Sequence, residues 1–226
     1  IRAPIVTVGL IALCIGIFLV QSFFLGRAEF THVVYWFGAI PGLVMGNLPQ
    51  PQLPQYQSPI PAQLTLLTSI FLHGGFLHLA GNMLFLWIFG NNVEDALGHI
   101  RFIAFYLLAG VAAGLAHVFQ APTSQVPMIG ASGAVSGVLG AYLLLYPKAQ
   151  VGVLVPLGFI LTVVRLPALV VLLIWFAFQF LSNTFAGSEE GGGVAYMAHI
   201  GGFFAGMALL LLFKPPQVPL FGDGRR

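Results

Sequence analysis

Gly130-Ala131-Ser132-Gly133-Ala134-Val135-Ser136-Gly137-Val138-Leu139-Gly140 follows a polar, proline-containing run and opens an apolar helix with a serine set between glycines. Glycine on either side lets a backbone or a substrate come close to the hydroxyl. A helix starting near Ser132 aims its free N–H groups and positive dipole end at any negative charge that develops there. A nucleophile that must also stabilise an oxyanion needs that geometry. The same residues also read as a packing surface, with Gly133 and Gly137 forming a small-xxx-small pair.

The surrounding composition identifies the solvent. The 226 residues are 58% hydrophobic and 6% charged, with a mean hydropathy of +0.97, whereas soluble domains carry about 25% charged residues. So few charges cannot cover so much apolar surface in water, and a lipid bilayer fits instead. A net charge of +2 gives no reason to expect nucleic acid as a partner. Cys14 is the single cysteine and permits no internal disulfide.

The pattern predicts one all-α, polytopic membrane domain over residues 1–226, with six transmembrane helices. The first covers 5–25, an apolar run of about the 20 residues a span needs. Residues 26–63 form an interfacial loop. Within it Phe30, His32, Tyr35, Trp36 and Phe37 mix with polar residues, as at a membrane surface, and 47–63 is a Pro/Gln-rich connector. The other helices are expected at about 76–97, 102–119, 132–146, 167–185 and 196–213. Glu94, Asp95, His99 and Arg101 mark a polar turn. Residues 151–164, with Pro156 and Gly158, read as a half-buried connector, and 188–193 as a flexible acidic loop.

Charge fixes the orientation. With the N-terminus inside, the inner side holds Arg2, Arg101, Lys148, Arg165, Lys214, Arg225 and Arg226, and the outer side only Arg27. The positive-inside rule favours this arrangement, with both termini cytoplasmic and Ser132 toward the outside. The fourth helix, about 15 residues at 1.5 Å each, reaches ~22 Å against a hydrocarbon core of ~30 Å. Ser132 is therefore expected ~8 Å below the outer edge of that core, with the preceding loop dipping into a hollow shielded by protein.

Ser132, His199, His78 and Asn82 are polar residues inside this apolar frame. His199 lies near the outer end of the sixth helix, where Gly202 and Gly206 form a second small-xxx-small face. Two glycine faces let the fourth and sixth helices approach closely, with Ser132 and His199 at similar depth. A serine with a histidine in reach is the minimum for a base-activated nucleophile. With no Asp or Glu deep in an apolar span, the expected unit is a Ser-His dyad. His78 and Asn82, four residues apart, share a helix face and suit an oxyanion hole; they equally suit inter-helix hydrogen bonding. His78, His199 and His73 could be imagined around a metal, but no HExxH pattern or membrane carboxylate completes such a site. No metal or cofactor is expected.

Across nearly its whole length the chain resembles the rhomboid intramembrane serine proteases. The matching pieces are His73-x4-His78-x3-Asn82, Glu94-x3-Gly98, Tyr106-x3-Gly110, Gly130-Ala131-Ser132-Gly133, and Ala198-His199-Ile200-Gly201-Gly202 with Gly206. The resemblance implies a prokaryotic-type, six-helix core of the plasma (inner) membrane, acting on transmembrane protein substrates within the lipid. It implies Ser132 as nucleophile and His199 as base, with His78, Asn82 and the Ser132 N–H stabilising the oxyanion. It also implies that Glu94 anchors helix packing and that the aromatic loop after the first helix lies partly in the outer leaflet. Some members stack an aromatic residue, one turn after the nucleophile, on the histidine; Ser136 stands there in this chain, so other contacts must position the imidazole. Ser136 is also a rival nucleophile, but it lies a turn deeper and lacks the helix-start position.

Two other classes of function compete with a protease. One is a catalytically inactive rhomboid-like binder or chaperone, which has no evident need for both Ser132 and His199 at that depth. The other is a small transporter, which polar residues in the membrane would suit, although the spans show no inverted repeat. For a protease, a substrate helix must leave the lipid sideways and unwind locally, passing beside the fifth helix. Loosening Trp175 or Phe178 on that helix is expected to ease its passage.

Overall fold

The computed structural model describes residues 3–48, 58–157, 160–185 and 195–222. Residues 49–57 of the Pro/Gln-rich connector and the acidic loop 188–193 lie outside them. Helix α1 (Ile5–Leu19) continues through a π-helical turn, Val20–Phe24. No side chain of its own caps its N-terminus. The Glu94 carboxylate does so from a distant part of the chain, accepting from Val6 N–H at 2.9 Å, Thr7 N–H at 2.7 Å and Thr7 Oγ1 at 2.6 Å. A carboxylate at a helix start meets both the orphan amides and the positive dipole end. His99 Nδ1 lies 2.6 Å from the same group.

The stretch expected as an interfacial loop over 26–63 contains helices. Helix α2 (Arg27–Phe37) runs between Gly26 and Gly38, with neither glycine nor proline inside it. Helix α3 (Pro41–Val44) starts on a proline at its first position, where the missing N–H costs nothing. Helix α4 (Thr65–Thr68), flanked by 3₁₀ turns, spans 62–71 with them and meets Phe76–Leu97 at an 80° bend. The second arm comprises α5 (Phe76–Phe85), a π-helical turn (Leu86–Gly90) and α6 (Asn91–Leu97). The expected polar turn reduces to Gly98, whose φ of +81° favours glycine. Helix α7 (His99–Gln120) follows at once.

Helix α8 (Ser132–Leu145) is the centre of the molecule. Every residue from 133 to 143 is buried, as befits a helix apolar all round. Its last carbonyls are met by the C-terminal segment, Phe221 N–H to Leu144 O and Gly222 N–H to Leu145 O, both at 2.8 Å.

The chain then departs from the all-α expectation. Where 151–164 reads as a connector, strands β1 (Gln150–Leu157) and β2 (Ile160–Pro167) form an antiparallel hairpin, pairing Gln150 with Pro167 and Val153 with Val164. Pro147, Pro156 and Pro167 prevent a continuous helix, and the β-branched run favours a strand. Leu154, Leu161 and Val163 point outward, each more than 60% exposed, an apolar face suited to lipid rather than water.

Helices α9 (Ala168–Phe185) and α10 (Tyr196–Phe213) complete the fold. Among the described residues three helices are long and apolar enough to cross a membrane: Ile5–Phe24, His99–Gln120 and Tyr196–Phe213. The bent pair 62–71 and 76–97 makes a possible fourth, and Ser132–Leu145 and Ala168–Leu181 are shorter apolar helices. The chain is thus a mainly helical membrane protein with three to four spans by length.

Small residues set the packing of α7, α8 and α10. A Cβ on Gly133 would stand 2.6 Å from Ala113 Cβ, and one on Gly137 2.6 Å from Ala109 Cβ. A Cβ on Gly202 would collide with the Gly133 carbonyl, and one on Gly206 with the Gly137 backbone. The two glycine faces are therefore in backbone contact, the arrangement small-xxx-small pairs permit.

Candidate active site

Ser132 is the first residue of α8, so its N–H and those of the next residues belong to the helix turn that lacks intrahelical acceptors. The approach is fixed by Gly130, whose N–H donates to Ser69 O at 2.9 Å and whose φ is +127°. A side chain at Gly130 would place its Cβ 2.6 Å from His78 Cε1, 2.7 Å from His78 Nε2 and 3.7 Å from Ser132 Oγ. Glycine is thus required twice over, by conformation and by space. The incoming loop is also tied to α3 and the link that precedes it: Ala39 and Met128 exchange backbone bonds at 3.0 and 2.8 Å, and Gly42 N–H donates to Ser124 O at 2.9 Å.

The Ser132 hydroxyl makes no hydrogen bond to His199 or to any other described residue. Ser136 differs, being 1% exposed with Oγ donating to the Ser132 carbonyl at 2.6 Å. That back-bond within the helix occupies the hydroxyl proton, so Ser136 is structurally engaged where Ser132 is free.

His199 is buried on α10. Its ring lies 6.1 Å from the Trp175 ring of α9 and 6.4 Å, edge-on, from Tyr196. Its Nδ1 is 2.7 Å from Gln179 Oε1. An amide oxygen only accepts, so Nδ1 carries the proton and Nε2 is left as the lone-pair nitrogen. Gln179 does not figure among the sequence-derived candidates. Its one signal is being the only polar side chain between Ala168 and Leu181.

Asn82 is buried on α5, and its Nδ2 has no hydrogen-bond partner among the described residues. Such an unpaired NH2 is costly in a folded protein unless something accepts from it in use. His78, on the same face, is exposed, its ring 5.3 Å from that of His73 in the preceding turn. His73 is fully buried. Among the described residues no group of three or more His, Cys, Asp or Glu side chains is arranged to hold a metal ion.

On α9 the inward face carries Leu172, Trp175, Phe176 and Gln179, at i, i+3, i+4 and i+7. Trp175 packs on His199 and on Phe203, at 6.2 Å, whereas Phe178 is 63% exposed and points away from the bundle. The two residues therefore cannot be loosened with the same effect.

A Rhomboid domain family model matches residues 61–216. The chain is 37% identical over 157 residues to "Rhomboid protease GluP" of Bacillus subtilis, covering 70% of this chain and 27% of that protein. It is 30% identical over 154 residues to "Rhomboid protein 1, mitochondrial" of Saccharomyces cerevisiae, with 66% and 41% covered. To "Rhomboid-like protein 11, chloroplastic" of Arabidopsis thaliana it is 32% identical over 174 residues, with 74% and 58% covered. The chain thus spans between about a quarter and three-fifths of the length of these curated relatives. The matched region holds the broken helix pair, α7, α8 with Ser132 and α10 with His199, and the chain belongs to the rhomboid family.

Proposed function

We propose that the chain is an intramembrane serine endopeptidase that cuts transmembrane segments of other proteins through a Ser132–His199 dyad and an acyl-enzyme. The observation that carries this reading is the α8–α10 junction. Glycine backbone contact brings the start of α8 alongside His199, whose Nδ1–H is already engaged and whose Nε2 is free to accept a proton. In the first step Ser132 Oγ attacks the scissile carbonyl while His199 Nε2 takes its proton. The oxyanion receives hydrogen bonds from the Ser132 N–H, the unpaired Asn82 amide and His78. The imidazolium then protonates the leaving amine, and water hydrolyses the ester by the same steps in reverse.

In this reading the whole chain 1–226 is one domain with six spans, α9 and the short α8 among them. Both termini are cytoplasmic in a prokaryotic plasma membrane, and the site opens toward the outside. An intact substrate helix keeps its carbonyls bonded internally, so cleavage needs local unwinding, which Gly and Pro favour. Protein reconstituted into liposomes with a panel of single-span proteins should cut them in the outer part of the span, beside small residues. Replacing substrate Gly or Pro there by Leu should suppress cleavage. Stable binding of the panel with no product from the wild type would instead support the inactive-binder reading.

Asn82→Ala should lower kcat by roughly 10- to 1,000-fold with KM nearly unchanged, since an oxyanion donor acts in the transition state. Steady-state kinetics on one cleaved substrate checks this. A change confined to KM would assign Asn82 to packing or substrate binding.

A further inference from the structure

We infer that Gln179 is the positioning residue for His199, supplying from α9 the fixed acceptor that a carboxylate would supply in a triad; this rests on the hydrolase reading above. Three observations converge on it. Gln179 is 7% exposed and His199 8%, and their polar atoms meet at 2.7 Å. Gln179 lies on the inward face of α9, one turn beyond Trp175, whose ring also lies against the imidazole. The position one turn after Ser132 is taken by Ser136, whose hydroxyl is turned back to the Ser132 carbonyl, so α8 offers the imidazole no aromatic support from that position.

A histidine acting as base must present an unprotonated Nε2, and the partner of its other nitrogen decides whether it does. A neutral amide oxygen fixes that tautomer as a carboxylate does. It avoids placing a charge among apolar helices, where ionised side chains are expensive. The proton balance is simple. Nε2 takes the Ser132 proton and later gives it to the leaving amine, while the Nδ1 proton stays where it is, hydrogen-bonded to Oε1 throughout. Gln179 neither gains nor loses a proton. Because the bond links α9 to α10, any displacement of α9 that breaks it also frees the ring.

The test compares wild type, Gln179→Leu and Gln179→Glu in liposomes with one cleaved single-span substrate, alongside nitrogen-15 NMR of labelled histidine. Gln179→Leu keeps the side chain's bulk without the acceptor. It should lower kcat by about 10- to 100-fold, the scale of loss seen when the partner that orients a metal-ligating histidine is removed, with KM within about twofold. The NMR signal of an Nδ1-protonated, Nε2-free His199 should give way to averaged tautomers. Gln179→Glu restores an acceptor oxygen at the same reach and should recover most of kcat and the single tautomer. Wild-type kcat and an unchanged tautomer in a folded Gln179→Leu protein would overturn the inference while leaving the protease reading intact. Should the Leu variant not fold, a folded Gln179→Glu protein that has lost the single tautomer would overturn it equally. A wild type that cuts nothing and takes no label at Ser132 brings down the hydrolase reading itself, and any catalytic purpose for Gln179 with it.

Discussion

Ser132→Ala and His199→Ala are each expected to lower kcat by about four orders of magnitude or more, and the double variant scarcely further. Members of a nucleophile–base pair act as a unit, so losing either removes the chemistry of both. Ser136 should not rescue Ser132→Ala. It is buried a turn deeper, with its proton bonded to a backbone carbonyl that remains when Ser132 becomes alanine. Ser136→Ala should accordingly retain most activity, because what it loses is a local back-bond rather than a reacting group. Product formation by purified variants in liposomes measures all four. Near-wild-type cleavage by Ser132→Ala would sink the assignment of the nucleophile.

Gly206→Val should be the most destabilising single change considered, with Gly202→Val close behind. A Cβ at either site collides with backbone of α8, at Gly137 and Gly133 respectively, and backbone cannot rotate out of the way as a side chain can. Overpacking a well-filled core costs about 1–3 kcal/mol where side chains can adjust, so a backbone clash belongs at or beyond the upper end. Gly202 lies one turn from His199, so activity should fall with thermal stability in that variant. Thermal denaturation in detergent together with cleavage kinetics tests both. A stable, fully active Gly202→Val protein would mean that the two helices do not meet through these glycines.

Much of this was readable from the residues because the governing signals are local. The apolar run 5–25, the glycine-flanked Ser132 and the Gly202/Gly206 spacing each announce a helix or a helix contact without reference to anything distant. The hairpin was not readable. A Val/Leu-rich stretch has the same pattern in a strand as in a buried helix segment, and only the pairing of 150–157 with 160–167 distinguishes them. Helix α2 was hidden for a related reason, because its mixture of aromatic and polar residues lacks a clean apolar face. Glu94 announces a polar turn, but its partners Val6 and Thr7 lie almost ninety residues earlier. Gln179 is the sharpest case. One neutral polar residue within the apolar stretch 168–181 forms no pattern, and its significance comes from standing opposite His199.

If Ser132 is a nucleophile activated by His199, treating the protein in native-like membranes with a fluorophosphonate and locating the adduct by peptide mass mapping should show it. A single adduct is expected on Ser132, reduced to background in His199→Ala and absent from Ser132→Ala. An adduct on Ser136 with Ser132 unmodified, or a cleavage-competent protein whose Ser132 never takes the label, would contradict it.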